Sequence, residues 1–125
     1  MEETSVNTLP LNSFKCLGML PAVDDALYAI GGKWKLKVLI ALSSGPHRFN
    51  QLQRMVTGIS ARVLSNELKE LELNRLIKKN ILAPSIPAIV EYELTEYADT
   101  LSPMVQAIVE WGVMHRKKVM STPQQ

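Results

Sequence analysis

The stretch FNQLQRMVTGISARVLSNELKELELNRL, residues 49–76, decides the fold. Its first part predicts a short helix through Val56 that Asn50 caps, because asparagine favours the N-cap position. The side chains expected on the buried side of this helix are Leu52, Met55 and Val56. Thr57-Gly58 then interrupts the helical pattern, so the chain is expected to turn there.

A longer helix is predicted from Ala61 to about Asn74, with Ser60 as its N-cap. On a wheel of about 100° per residue, its apolar side chains cluster on one side. These are Val63, Leu64, Leu68 and Leu71. Roughly opposite lies a stripe about 100° wide made of Arg62, Ser65, Asn66 and Lys69. One face of the helix should therefore pack on the preceding helices and the other should face outward.

The side chains of this stripe are those that proteins use in the major groove of DNA. Arginine pairs with guanine, asparagine with adenine, and serine and lysine commonly reach phosphate. Glu67 and Glu70 lie away from the centre of the stripe and are expected to pair locally or to weaken binding. An ordinary amphipathic helix with a solvated face has the same pattern, so the surrounding elements must decide between the two interpretations.

Two helices are predicted upstream of residue 49. Apolar residues recur at helical spacing from Ala22 to Ile30, and Gly31-Gly32 ends that helix. The next helix is predicted from Trp34 to about Ser43, and Ser44-Gly45-Pro46 closes it. The segment 47–49 is too short to classify and could form a single β-bridge.

Downstream, two short β-prone segments, Lys78–Ala83 and Val90–Leu94, flank a proline-bearing loop and predict a hairpin. The predicted fold class is therefore mainly α with a small β-hairpin wing, a winged helix-turn-helix with a long C-terminal helix. Residues 1–20 lack sustained periodicity and are expected to form an N-terminal arm, whereas residues 21–120 form one domain.

The last helix is predicted over about 95–119, with Thr95 as its cap. Pro103 falls inside this span and cannot donate a backbone hydrogen bond. The helix is therefore expected either to kink at this proline or to restart with Ser102 as a new cap.

The formal net charge of +2 hides an uneven distribution. Residues 1–30 carry −3 and residues 81–125 carry −2, whereas residues 31–80 hold ten bases and three acids, a net charge of +7. Such polarity is typical of a protein with one surface that faces a polyanion. Basic residues also simply solvate helix faces, so charge alone does not choose between these interpretations.

The position of the basic residues favours nucleic acid. Arg48 and Asn50 precede the supporting helix, and Lys78-Lys79-Asn80 opens the hairpin beside the longer helix. These groups and the polar stripe are therefore expected to share one surface. The predicted DNA-binding residues are Arg48, Asn50, Ser60, Arg62, Ser65, Asn66, Lys69, Lys78 and Lys79.

The sequence resembles the HxlR family of bacterial transcriptional regulators, relatives of the MarR group, over about residues 21–112. The motifs that carry the resemblance are IGGKWK at 30–35, GPHRFNQL at 45–52, GIS at 58–60, VEYELTE at 90–96 and EWG at 110–112. The resemblance implies a winged helix-turn-helix that forms a homodimer and binds a palindromic operator. It also implies that the helix after Ser60 enters the major groove and that the hairpin touches the flanking minor groove or backbone.

The resemblance further implies that the terminal helices form the dimer interface. The last helix offers more apolar surface than a single helix can hide. The residues expected in the interface are Leu101, Met104, Val105, Ile108, Val109, Trp111, Gly112 and Val119. The alternative is that this helix packs only on its own domain.

The sequence departs from the family pattern at two places. Many members carry a cysteine about eleven residues before the second glycine of the GGKW motif, and some use it to sense oxidants, but here that position is Pro21. Cys16 lies five residues further upstream; it is either incidental or a redox sensor whose thiolate Lys15 favours. The expected wing tip, 87–89, is apolar where members often carry a base, which moves DNA contact towards Lys78 and Lys79.

Other classes of function find little support. The two histidines, His47 and His115, are far apart in sequence and Cys16 is the one cysteine, so neither a metal site nor a nucleophilic catalytic site is expected. We therefore expect no enzyme and no cofactor. Apolar runs such as 38–42 are far shorter than the roughly 18 residues that span a bilayer. With no signal peptide recognised, a soluble, cytoplasmic protein is expected.

Two functional hypotheses remain at this point. The first is a sequence-specific DNA-binding regulator that acts as a homodimer on a palindromic operator. The alternative is a winged-helix module for protein–protein assembly without sequence-specific DNA binding. An unidentified small-molecule effector, bound between the wing domain and the terminal helices, would modulate the first function rather than replace it.

Overall fold

A computed structural model of the chain describes residues 10–11 and 17–121. Cys16 lies outside the described residues. A 3₁₀ turn at Leu17–Met19 leads into five α-helices, one two-stranded hairpin and a second 3₁₀ helix. In chain order these are α1 (Leu20–Ile30), α2 (Lys35–Leu42), α3 (Phe49–Met55), α4 (Ala61–Leu73), β1 (Ile77–Ala83), β2 (Ile89–Leu94), the 3₁₀ helix Glu96–Leu101 and α5 (Ser102–Ser121).

The core lies where α2, α3, α4 and the start of β1 meet. Leu64, Leu68 and Leu71 form the inner face of α4, and none is more than 2% exposed. They share one buried cluster with the inner residues of the neighbouring elements, the most deeply buried of which are Val38, Leu42, Leu52 and Ile77. Val63 packs against this cluster and is partly buried. The predicted apolar face of α4 is therefore confirmed.

The short helix α3 differs from the prediction at both ends, and at its C-terminal end it stops at Met55, one residue early. It begins at Phe49, so Asn50 is inside the first turn and the predicted Asn50 cap is wrong. Arg48 is the N-cap instead, and its backbone N–H donates to Gln51 Oε1 at 2.8 Å. Leu52 and Val56 are buried as predicted, but Met55 is 45% exposed. The inner face is centred between Leu52 and Val56, one helical turn apart, which leaves Met55 at its edge.

The start of α4 follows the prediction closely. Gly58 has a φ of +91°, a left-handed conformation that glycine adopts without steric cost. Ser60 is the N-cap, and its Oγ accepts a hydrogen bond from the Val63 backbone N–H at 3.1 Å. The helix ends at Leu73, with Asn74 as its C-cap. The predicted turn and cap are confirmed.

The wing is an antiparallel hairpin tied to the loop before α3. Ile77 lies opposite Leu94 and Asn80 opposite Glu91. The predicted β-bridge at 47–49 exists: the His47 N–H donates to the Tyr92 carbonyl at 2.9 Å, and the Tyr92 N–H donates back at 2.8 Å. Both strands begin one residue earlier than predicted. The bridge fixes β2 relative to the α2–α3 loop.

The last helical segment is split just before Pro103. Of the two predicted alternatives, a kink or a restart, the structure shows the restart. Thr95 caps the 3₁₀ helix Glu96–Leu101, and its Oγ1 accepts from the Ala98 N–H at 3.2 Å. The α-helix restarts at Ser102, which is its first residue rather than its cap, and Pro103 falls in the first turn, where no N–H donor is needed. None of the described helices combines the length and apolarity needed to cross a membrane.

Arg75 connects α4 to β1 in a left-handed conformation, with a φ of +65°. Its N–H donates to the Glu72 carbonyl at 3.0 Å, and its own carbonyl accepts from Thr95 Oγ1 at 2.7 Å. A left-handed backbone costs a residue with a Cβ atom roughly 1–2 kcal/mol. Glycine is the usual residue at this position after a helix.

Replacing Arg75 by glycine should therefore stabilise the fold. We expect Arg75→Gly to raise the free energy of unfolding, measured by urea denaturation, by about 1 kcal/mol. The matched control is Asn74→Gly, because Asn74 has a φ of −86° and its Nδ2 donates to the Glu70 carbonyl at 3.0 Å. This control should lower stability by about 1 kcal/mol. Equal destabilisation by both variants would contradict the strain at Arg75.

Candidate nucleic-acid interface

The outer face of α4 carries the predicted polar stripe. Arg62, Ser65, Asn66 and Lys69 are all exposed, whereas the three leucines on the other side of the helix are buried. Packing of the inner face fixes the rotation of the helix about its axis, and so fixes which side chains face outward. The structure therefore brings these four predicted residues together on one surface.

Ser60 lies exposed at the start of the same helix. Its Oγ accepts the Val63 N–H, and its hydroxyl proton can still donate to an anion. The N-terminal end of a helix carries a partial positive charge and favours a nearby phosphate. Ser60 thus combines a structural role with a position suited to phosphate contact.

A polar groove of about 440 Å³ separates the start of α3 from the wing. The exposed side chains of Arg48, Asn50 and Arg54 line it from α3, and Ala88 and Val90 line it from the wing. The sequence reasoning did not select Arg54. Its spacing of four residues from Asn50 places it on the same helical face, and that signal could have found it.

The lysines at the base of the wing lie on β1 and are both exposed. Successive side chains of a strand project to opposite faces, so Lys78 and Lys79 lie on different sides of the hairpin. The expectation that both share one surface with the polar stripe is therefore wrong for one of them. Lys78 Nζ lies 3.4 Å from Glu93 Oε2 on β2. This pair is solvent-accessible, so its energy is small and a phosphate can compete for the lysine.

One base of the +7 segment does not face solvent. Lys35 is 7% exposed, and its Nζ lies 2.7 Å from Glu67 Oε1 and 2.5 Å from Glu70 Oε1. Both carboxylates are paired, but their partner comes from α2 and is 32 and 35 residues away in the chain, so the predicted local pairing is wrong. Burial lowers the pKa of Lys35, yet the hydrogen bonds and attraction of both carboxylates outweigh it, and the pKa is raised above its ordinary value.

The lysines on either side of Lys35 in sequence behave differently. Lys33 and Lys37 are exposed, and their Nζ atoms lie 4.8 Å and 5.0 Å from the centre of the Trp34 ring. Trp34 packs against the core and comes within 3.8 Å of where a Cβ on Gly58 would lie. Trp34 thus packs on the core, and two cations lie over its ring.

The predicted interface residues lie on α5, except Leu101, which directly precedes it, and two groups stand out among them. Leu101 and Met104 are partly buried against the core of their own chain. Ile108, Val109, Trp111 and Val119 are exposed large apolar side chains, between 46% and 58% accessible. Helix α1 also exposes large apolar side chains, namely Leu20, Val23 and Leu27. Apolar surface of this extent on two helices is typical of an interaction face.

Gly112 sits in the middle of α5, where glycine is about 1 kcal/mol less favourable than alanine. A Cβ placed on it would meet nothing within 4 Å. Packing within the chain therefore does not require a glycine here.

Among the described residues, no group of three or more histidine, cysteine or acidic side chains could hold a metal ion.

The fold, with its exposed stripe and wing, is that of a winged helix-turn-helix protein. The profile of the HxlR-like helix-turn-helix family matches residues 29–120, and the chain belongs to this family. It is a transcriptional regulator of the helix-turn-helix type and not an enzyme.

Individual relatives agree with this assignment. An uncharacterised HTH-type transcriptional regulator of Methanothermobacter thermautotrophicus is 41% identical over 96 residues, which cover 77% of this chain and 72% of the relative. The redox regulator HypR in its reduced form has a similar structure, with a TM-score of 0.73, 36% identity and coverage of 81% and 99% of the two chains. A MarR-family transcriptional regulator from Enterococcus faecalis V583 gives a TM-score of 0.67 at 29% identity, covering 92% and 96%.

Proposed function

We propose that the protein is a cytoplasmic, homodimeric regulator that binds a palindromic DNA operator with α4 in the major groove. The observation that carries the proposal is the stripe of Arg62, Ser65, Asn66 and Lys69, exposed on a helix whose other face is buried. Side chains of this kind on a helix after a tight turn can reach base edges. An assembly module would have no need of four such groups in one row.

The remaining predicted residues are assigned to the DNA backbone. Arg48 and Asn50, together with Arg54, line the groove beside the wing, and Lys78 and Lys79 flank the base of the hairpin. Phosphate contacts of this kind set register and affinity without reading sequence. Ser60 at the start of α4 completes the set.

Arg62 and Lys78 should respond differently to removal, which separates base reading from phosphate contact. Arg62→Ala should weaken binding to the operator by roughly 1–3 kcal/mol and relax specificity at one base pair. Lys78→Ala should weaken binding to duplexes of every sequence by the same factor. It should also reduce the slope of log affinity against log salt concentration by about 1. Fluorescence anisotropy with operator and scrambled duplexes over a salt series measures both.

The wild-type protein is the reference in that experiment. If it binds all duplexes equally or none, the proposed function fails and the assembly module is favoured. If Lys78→Ala loses affinity for one sequence only, its assignment to phosphate is wrong.

The dimer is proposed from the apolar surface of α5 and α1. A second copy would cover Ile108, Val109, Trp111 and Val119, which the chain itself leaves exposed. Gly112 lies among them and would allow the backbones of two helices to approach closely. Leu101 and Met104 would then support the interface from within the domain, and Val105, which follows Met104 and is partly buried, would extend it.

A charge in this surface should separate the two copies. Ile108→Glu is expected to change the mass measured by light scattering from two chains to one, because an unpaired carboxylate is costly in an apolar interface. The matched control is Ile86→Glu on the wing loop, where the side chain is fully exposed, and it should leave the dimer intact. An intact Ile108→Glu dimer would exclude this residue from the interface.

An apolar groove of about 440 Å³ between α2, β2 and the start of α5 favours the predicted effector site. Its lining includes Leu39, Ile40, Leu94 and Val105, with Asp99 and Gln106 as polar groups. We propose that a small, largely apolar molecule binds here. Such a molecule should raise the Tm and alter operator affinity over the same concentration range; a Tm shift that leaves operator affinity unchanged would contradict a regulatory role.

A further inference from the structure

Lys35 is the one buried charged side chain among the residues that the structure describes. It is the first residue of α2, and the lysines two positions before and after it remain exposed over Trp34. Of the three closely spaced bases, only this one turns inward. Burying a charge is costly unless it is paired, so the arrangement needs an explanation.

The partners of Lys35 both belong to α4. Its Nζ contacts Glu67 Oε1 at 2.7 Å and Glu70 Oε1 at 2.5 Å, and these two residues follow it by 32 and 35 positions in the chain. Residues three apart on a helix lie on the same side, so one ammonium group can bridge both carboxylates. The bridge joins α2 to the helix that carries the polar stripe.

The charges of α4 show what the bridge offsets. The helix has two bases, Arg62 and Lys69, and three acids, Glu67, Glu70 and Glu72. Alone it is acidic, and an acidic helix is repelled by the phosphates on both sides of a major groove. The side chain of Glu70 is 55% exposed, and that residue lies beside the stripe on the helical wheel.

Stability alone does not account for the bridge. Replacing a buried ion pair or triad by neutral side chains of similar volume is often neutral or stabilising. Removing only one partner, in contrast, leaves the other charges uncompensated. An advantage in DNA binding accounts for three charged residues at a place that neutral residues could fill.

We infer that Lys35 is a positioning residue for DNA binding: it holds Glu67 and Glu70 against α2 and offsets their charge beside the polar stripe. The inference rests on the proposed function of α4. Lys35 itself stays on the inner side of the helix and touches no DNA. Its contribution is to remove repulsion between two carboxylates of α4 and the phosphates.

The test compares two variants that differ only in the carboxylates. Lys35→Met should weaken binding to the operator roughly three- to tenfold, because it adds one uncompensated negative charge near the phosphates. Adding Glu67→Gln and Glu70→Gln to Lys35→Met should restore wild-type affinity or exceed it. Affinity is measured by anisotropy at constant salt, and circular dichroism verifies that each variant is folded at the assay temperature.

Lys37→Met is the matched control, since it removes an exposed lysine from the same helix and changes the net charge equally. It should stay within about twofold of wild type. A folded Lys35→Met that binds like this control overturns the inference, as does a triple variant that stays as weak as Lys35→Met. If Lys35→Met does not fold, the triple variant decides: wild-type affinity supports the inference, and a tenfold loss overturns it.

The outcome also separates this inference from the function on which it rests. A wild-type protein that binds no duplex preferentially overturns the proposed function and the inference with it. A wild-type protein that selects its operator, with Lys35→Met equal to it, overturns the role of Lys35 alone.

Discussion

The buried row of Leu64, Leu68 and Leu71 is the constraint on which the rest of the structure depends. These side chains belong to the buried cluster to which α2, α3 and β1 also contribute. With that row inward, the rotation of α4 is fixed, and the polar stripe on its other side must face solvent. The same packing places Ile77 at the base of the wing, so one core positions both the polar stripe and the hairpin.

Packing positions the charged residues, and ion pairing then determines which of these charges remain available at the surface. The net charge of +2 is uninformative as a sum, and within the +7 segment of residues 31–80 the charge of Lys35 is used internally, to offset Glu67 and Glu70. Its two carboxylate partners are drawn to the side of α4 that contacts α2. The exposed bases of this segment lie on α4, around α3, at the base of the wing and beside Trp34.

Local signals in the sequence predicted the elements well where one residue determines a boundary. Ser60 and Thr95 cap their helices with their own side chains, and Gly58 turns the chain with its own backbone. Each of these caps and turns can therefore be predicted from the identity of one residue. The cap of α3 was misassigned because Gln51 reaches back to Arg48, a pairing that a single-residue preference for Asn50 does not reveal. The inward turn of Lys35 depends on contacts 32 and 35 residues away, which no local pattern contains.

Selection of bound duplexes from a random DNA pool, followed by sequencing, tests the central claim most directly. A dimer that presents two copies of α4 should select one symmetric site, with half-sites about one helical turn, or roughly 10 base pairs, apart. The bases that face Arg62 and Asn66 should be the most strongly selected positions within each half. Recovery of the pool without enrichment, or enrichment of a sequence without two-fold symmetry, would contradict the account.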